Sequence, residues 1–416
     1  SLACRYFPYG FLWDVSGSGV FDKNNYLFYI QGLIGSKVGY YILNLINPTI
    51  NFQVENILQL PILESNNKNN IDLLIEKNIA QSRNDWDSFE TSWDFKTHPL
   101  VELRLAGAYA WGDNTPVARI SSAYKAWSIV CESRFNTLKS NEEELNRIFI
   151  DIYGLQDELD PYVEDKDVTV RKADLVRDVK SFISYAVGCM FGRYSLDEQG
   201  LAYAGGEFDN SKYKAYLPDK DNIIPICDEE YFEDDIASRF VEFVKVVYGS
   251  DTLEENLQFI ANALGGNGNS RDVLRNYFLN DFFKDHCNTY QVTGSGKRPI
   301  YWQFDSGKNN GFKALIYVHR YTPDLIARLR TTYIHPLQSR LRTQIDLLNK
   351  QMDDASITSE KVKLSKQLKK LNDQLLELNK YEEKIHHYAD MMIDIELDDG
   401  VKTNYAKFQE LLSKIK

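Results

Sequence analysis

Long apolar runs are missing from this sequence. No stretch of about 18 apolar residues occurs, the length a helix needs to cross a bilayer, so no transmembrane helix is expected. Cysteine is scarce. Its five residues (Cys4, Cys131, Cys189, Cys227, Cys287) are odd in number and far apart, which argues against a disulfide framework and fits a reducing cytoplasm. There is no Cys-x-x-Cys pair, and the adjacent His386 and His387 cannot share one helix face, so no metal site is expected. Gly-x-Ser-x-Gly and His-Glu-x-x-His strings are absent too, and no carboxylate spacing marks an acid–base pair. No catalytic residue can be named, and an active site complete within the chain is not expected. The first residues, Ser1-Leu2-Ala3-Cys4-Arg5, include neither a methionine nor a leader peptide and enter directly on an aromatic run, as a piece cut from a longer parent would.

What is present describes a folded protein of ordinary polarity. Its 416 residues are 43% hydrophobic and 26% charged, enough for a large core and about two to four domains. The 48 Lys+Arg and 60 Asp+Glu give a net charge of −12, which by itself opposes a nucleic-acid-coated surface. The charge is uneven, however. Residues 151–235 hold 21 acidic and 9 basic side chains, a net of −12, so the rest of the chain is neutral on balance. Within that remainder, residues 297–350 hold ten basic side chains against Asp305, Asp324 and Asp346, a net of +7.

The pattern of apolar residues, caps and breakers predicts an α+β protein that is predominantly helical. Residues 1–64 read as a small α/β piece. It has short strands at Arg5–Pro8 and Gly10–Asp14, two helices between Tyr26 and Ile46 ended by Asn47-Pro48, and an extended Asn51–Val54. A helical connector follows over 65–150. One of its helices carries Ile71, Leu74, Ile75 and Ile79 on one face. Another covers Ser121–Leu138, and a third is capped by Asn141 and ended by Gly154. Residues 151–322 form a mixed α/β region: the acidic stretch, a helix near Arg171–Phe191, two helices around Gly265–Asn269, and a β-hairpin of Ile300–Phe304 and Phe312–His319. From Thr322-Pro323 to residue 394, apolar residues recur every three or four positions through Leu337, Leu341, Leu371 and Leu378. That is a long antiparallel helical hairpin, kinked at Pro336. Residues 395–416 close the chain with a tail helix near Tyr405–Ile415.

Three glycine-rich strings invite a nucleotide reading, and each fails on spacing. Ser16-Gly17-Ser18-Gly19 is too short, and Gly265-Gly266-Asn267-Gly268 lies between helices. Thr293-Gly294-Ser295-Gly296-Lys297 lacks the first glycine of a phosphate loop and has Arg298 where the magnesium-binding hydroxyl belongs. All three are expected to be turns. The acidic run Asp228–Asp235 is expected to be a solvated face or a helix start. The basic segment is the stronger candidate, because cations beside Tyr301, Trp302, Asn309 and Asn310 suit phosphate and base-edge contacts.

Several strings together resemble a known family. Gly35-Ser36-Lys37-Val38, Asn47-Pro48-Thr49-Ile50-Asn51-Phe52-Gln53-Val54 and Leu60-Pro61-Ile62 are similar to the target-recognition regions of type I and type IIG restriction-modification proteins, although Glu55-Asn56 stands where those have Gly-Asp. Four longer strings resemble the C-terminal part of PglX-type adenine-specific DNA methyltransferases of bacterial BREX phage-defence systems. They are Asn84–Phe95, Pro299–Gly307, Ala314–Tyr321 and Leu397–Tyr405, in the family's order. The resemblance implies a parent that methylates adenine in double-stranded DNA with S-adenosylmethionine. The family's catalytic Asn-Pro-Pro-Tyr string is absent here, so no catalytic or cofactor-binding residue carries over. It further implies that residues 1–64 end a target-recognition domain and that the rest helps to enclose DNA. The candidate DNA contacts are Lys37, Lys297, Arg298, Lys308, Asn309, Lys313 and Arg320. The alternative is a protein-interaction module docking other defence-system subunits, which an exposed apolar seam on the helical hairpin would favour.

Overall fold

The computed structural model describes residues 4–8, 10–11, 18–22, 24–49, 52–106, 118–294 and 296–415. In chain order its helices and strands are α1 (Leu27–Gly35), α2 (Lys37–Ile46), α3 (Val54–Leu58), α4 (Lys68–Trp86), α5 (Pro99–Glu102), α6 (Ile120–Tyr153), α7 (Leu175–Met190), β1 (Ile224–Ile226), α8 (Ile236–Tyr248), α9 (Leu253–Ala263), α10 (Ser270–Asn280), α11 (Phe282–Thr289), β2 (Gln291–Val292), β3 (Gly296–Lys297), β4 (Tyr301–Asp305), β5 (Lys313–Tyr317), α12 (Leu325–Arg328), α13 (His335–Asp354), α14 (Thr358–Met391) and α15 (Gly400–Ala406). The architecture is α+β and predominantly helical, as the apolar periodicity predicts. Two compact units form, one from residues 1–89 with 125–173, the other from 90–124 with 174–416.

The first unit packs Tyr29, Leu33, Val38, Leu43, Ile71, Ile75 and Phe149 into one core, and each such burial is worth about 1.5–3 kcal/mol. The junction of α1 and α2 is closed by Ser36. Its hydroxyl donates to the Leu33 carbonyl at 2.7 Å and accepts from the Gly39 amide at 3.1 Å, which caps α2. Gly39 is required there, since a Cβ would lie 2.1 Å from the Leu33 oxygen.

The second unit is built on an antiparallel sheet of order β1-β5-β4, with Ile224 opposite Leu315 and Gln303 opposite Leu315 on the other side. Trp302, Phe304, Ile316, Leu325, Leu337, Leu378, Tyr381 and Leu411 pack around it. β2 and β3 make a separate two-stranded ribbon, Gln291 facing Lys297. The phosphate-loop look-alike is therefore the bend of this ribbon, with Ser295 outside the described residues.

Several expectations need correction. Arg5–Pro8, Gly10 and Phe11 form no strand, and residues 12–14 of that reading lie outside the described residues. Ile50 and Asn51 also lie outside them, and Val54 opens a one-turn helix rather than extending a strand. The break before Asn141 does not exist, because α6 runs unbroken to Tyr153 and the Asn141 amide donates to Asn78 Oδ1 at 2.7 Å instead of capping. Four helices, not two, fill 236–289. The tail helix is shorter and earlier than expected: α15 ends at Ala406, and Leu412 bridges to Phe304 beside the sheet. At Pro336 the helix does not simply kink. A π turn, Leu329–Ile334, precedes it, widening the turn where the proline ring would meet the carbonyl four residues back.

Candidate nucleic-acid interface

The structure separates the basic candidates into cations that face solvent and cations that face the core. Lys37 belongs to the first unit. It opens α2 and pairs with Asp160 at 3.0 Å on an exposed surface, where such a pair contributes little and leaves the lysine free to exchange partners. The other candidates lie in the second unit. Lys297 ends the β2–β3 ribbon and donates to Asn288 Oδ1 at 2.7 Å. Arg298 is exposed, with its backbone N–H on the Tyr290 carbonyl at 2.9 Å. Lys308 and Asn309 occupy the turn between β4 and β5, Lys308 exposed and Asn309 half-buried. Lys313 and Arg320 turn inward. Lys313 is buried, its ammonium donating to the Leu279 carbonyl at 2.9 Å. Arg320 donates to the Phe191 carbonyl at 3.1 Å and lies 4.2 Å over the Phe208 ring. Two of the remaining basic residues of the segment are similarly engaged. Arg328 pairs with Asp324 at 2.8 Å, and Arg330 with Glu382 at 2.6 Å.

Lys297–Arg298 and Lys308–Asn309 are not brought together, because they lie beyond opposite ends of β4. Each end is held by a group buried or half-buried beneath it. At the first, His286 on α11 accepts from the backbone N–H groups of Ile300 (3.1 Å) and Tyr301 (3.0 Å) with Nε2. Burial, and then the nearby Arg193, push its pKa down to about 3, so the ring is neutral and suited to accept. At the second, the Glu377 carboxylate on α14 accepts from Ser306 Oγ (2.8 Å), Asn309 N (2.9 Å) and Gly311 N (3.1 Å). Neither holder was visible from sequence, since both act across long separations.

Most carboxylates of the acidic stretch face solvent, but Asp178, Asp219 and Asp235 are buried. Asp235 caps α8 through the amides of Ala237 and Ser238 and accepts from Arg275 at 2.7 Å. Asp219, Asp221 and Asp234 bring carboxylate oxygens within 4.8 Å of one another, the one such group found among the described residues that could hold a metal ion. Tyr333 directs its hydroxyl to Asp234 at 2.6 Å, and Asp219 Oδ1 accepts from the amides of Asp221 and Ile223, both at 3.1 Å. Burial first, and then repulsion from Asp221, raise the Asp219 pKa to about 7, against a small opposing effect of Arg239. Burial also raises Asp234.

This cluster makes stability fall with rising pH. Between 3.8 and about 7 the folded chain keeps a proton on Asp219 that the unfolded chain releases, costing up to about 1.4 kcal/mol per pH unit. Asp219→Asn mimics the protonated form and still accepts the two amides. Variant and parent should melt nearly together near pH 3.8, where neither state has yet released much of the Asp219 proton, and the variant should melt several degrees higher at pH 8. A difference that is the same at both pH values would reject the assignment.

The helical hairpin answers the question of its seam. Leu337, Leu341, Leu371, Leu378, Tyr381 and Ile385 are buried, so the proximal seam is core rather than an open docking face. Sequence reasoning stopped the basic segment at Lys350 and so missed Lys361, Lys363, Lys366, Lys369 and Lys370 on α14, all exposed.

No helix among the described residues is long and apolar enough to cross a membrane. No family model matches the chain. Two curated proteins are similar to it along its length. An "Adenine-specific methyltransferase PglX" of Lacticaseibacillus casei (strain Zhang) is 46% identical over 413 residues, 98% of this chain and 33% of that protein. An "Adenine-specific methyltransferase BrxX" of Escherichia coli O9:H4 (strain HS) is 36% identical over 449 residues, 100% of this chain and 35% of that protein. The chain spans about a third of the length of these curated relatives. It is thus homologous, over essentially its whole length, to a part of the PglX-type adenine-specific methyltransferases, as the strings from Asn84 to Tyr405 imply.

Proposed function

We propose that this chain is a DNA-recognition and scaffold region of an adenine-specific DNA methyltransferase of a phage-defence system. The methyl transfer and S-adenosylmethionine then belong to a catalytic part outside these 416 residues. The observation that carries the reading is the similarity, over essentially the whole chain, to two adenine-specific methyltransferases in a chain without the Asn-Pro-Pro-Tyr string. Residues 1–64 act as the end of a target-recognition domain. Duplex DNA is the partner, other BREX proteins assemble around it, and the setting is cytoplasmic. Arg298 and Lys308 are the phosphate contacts of the sheet region, Asn309 lies beside Lys308, and Lys37 serves in the first unit. Lys297 adds to the Arg298 end, whereas Lys313 and Arg320 hold the protein's own backbone.

Binding of this kind is electrostatic and salt-dependent, because each neutralised phosphate releases counterions. Fluorescence anisotropy of a labelled duplex across a KCl series should show binding at low salt that weakens steeply. Arg298→Ala with Lys308→Ala should make the log–log salt slope shallower by about 2, equally for unrelated sequences. Absence of binding at low salt would overturn the reading for this chain.

A further inference from the structure

The outward face of α14 beyond the core carries charge of one sign. From Lys361 to Asn372 the helix has five lysines and no carboxylate. At 100° per residue, Leu364, Leu368, Leu371 and Leu375 share one side, which packs toward α13. Lys363, Lys366, Lys369 and Lys370 spread over the opposite arc, and Lys361, exposed in the first turn of α14, lies at the border of the leucine side. None of residues 342–354 or 358–370 is buried, so this end of the hairpin is a pair of helices with little support beyond each other. Lys370 pairs with Asp228. Among the described residues no carboxylate lies within ion-pair distance of Lys361, Lys363, Lys366 or Lys369.

We propose that Lys361, Lys363, Lys366 and Lys369 form a phosphate-binding stripe that lays the helical hairpin along the backbone of duplex DNA. The proposal rests on the duplex-binding reading above and adds a second, larger contact to it. The stripe rises about 1.5 Å per residue, so Lys361 to Lys370 spans roughly 13 Å, the axial length over which each strand of a duplex presents about four phosphates. Ser365 and Gln367 are the only other polar side chains along it, too few for base readout, so the contact positions the protein without reading sequence. A protein partner fits less well. Lysine is depleted from protein–protein interfaces, and this arc has no aromatic or arginine anchor.

The test uses the full chain and the variant Lys361→Gln, Lys363→Gln, Lys366→Gln, Lys369→Gln, with helix content and melting temperature checked by circular dichroism. All four positions are exposed, so both should stay at the parent's values. Anisotropy with two duplexes of unrelated sequence should give a salt slope shallower by about 3 to 4 and at least tenfold weaker binding near physiological salt, the same for both duplexes. Lys380→Gln with Lys384→Gln, on the same helix among Glu377, Glu382 and Glu383, should change the slope by less than about 1. If the parent binds and the four-site variant keeps its slope, the stripe is not a phosphate contact, while the duplex reading stands. Loss confined to one duplex would make it a base-reading element and overturn the proposal. An unchanged slope with lost binding of polyglutamate would assign the surface to an acidic protein and also overturn it. No binding by the parent at low salt would remove both readings together.

Discussion

Asp235→Ala should lower the melting temperature of the second unit on the order of 10 °C, from a loss of about 4 kcal/mol. Asp235 is fully buried, and two structures depend on it at once. Its Oδ1 accepts from the amides of Ala237 (3.0 Å) and Ser238 (3.3 Å), which start α8. Its Oδ2 accepts from Arg275 at 2.7 Å, and the same guanidinium donates to the Cys227 carbonyl at 3.0 Å. Burial raises the Asp235 pKa more than Arg275 lowers it, so the desolvation cost is large and the arginine offsets only part of it. Truncation leaves Arg275, whose side chain is 17% exposed, without its counter-charge, and leaves two helix amides without an acceptor. Asp235→Asn keeps the cap, since asparagine caps as well as aspartate, and so isolates the charge. It should cost less than the alanine variant, and Arg275→Ala should couple with Asp235→Ala in a double-mutant cycle by at least about 1 kcal/mol. Calorimetry of the four chains decides it. An alanine variant melting within about 2 °C of the parent would show that water reaches the pair and replaces it.

The same residue shows where sequence reading succeeds and stops. An acidic run ahead of Ile236 is legible as a helix start, because aspartate before an apolar helix is a local signal. The identity of its partner is not legible, as Arg275 lies 40 positions away and any of several arginines would satisfy the pattern. The strands of the β4–β5 hairpin were legible as short β-branched and aromatic runs either side of a glycine-bearing turn, and the hairpin helices from leucine spacing. β1 was not. Ile223-Ile224-Pro225-Ile226 is a short apolar run inside an acidic stretch, and its strand character comes from pairing with β5 some ninety residues later. Among the basic candidates, composition alone could not tell Lys308 from Lys313, five residues apart. Lys308 sits in the turn, whereas Lys313 is in the central strand, buried, with its ammonium on a helix-end carbonyl. Charge counting also stopped at the loop after α13, although the lysines of α14 continue beyond it.

Glu377→Ala should release the turn that carries Lys308, with a loss of about 3 kcal/mol in the second unit. That turn holds backbone shapes it would not keep alone. Gly307 has φ of +141° and Asn310 has φ of +54°. Beside them the Asn309 and Gly311 amides point at one carboxylate, and Ser306 Oγ donates to it while accepting from Phe312 N at 2.8 Å. Gln374, one turn earlier on α14, donates to the Asn309 and Asn310 carbonyls at 3.2 and 3.3 Å, so helix and turn are joined from both polarities. A hydrogen bond to a charged group contributes about 1.5–3 kcal/mol. Glu377 is half-buried, so entering water recovers part of the three. Glu377→Gln can accept from two donors but turns an NH₂ toward the third, and should cost about half as much as alanine. Hydrogen exchange distinguishes this from general destabilisation. The amides of Asn309 and Gly311 should lose their protection outright in Glu377→Ala, while those of β4 and β5 stay protected and speed up by no more than the roughly hundredfold that a global loss of about 3 kcal/mol allows. Duplex binding should weaken about as much as in Lys308→Ala and no further, because the α14 lysines keep their places when the turn is free. Unchanged exchange at both amides would mean that the turn holds its own conformation and that the carboxylate merely rests against it.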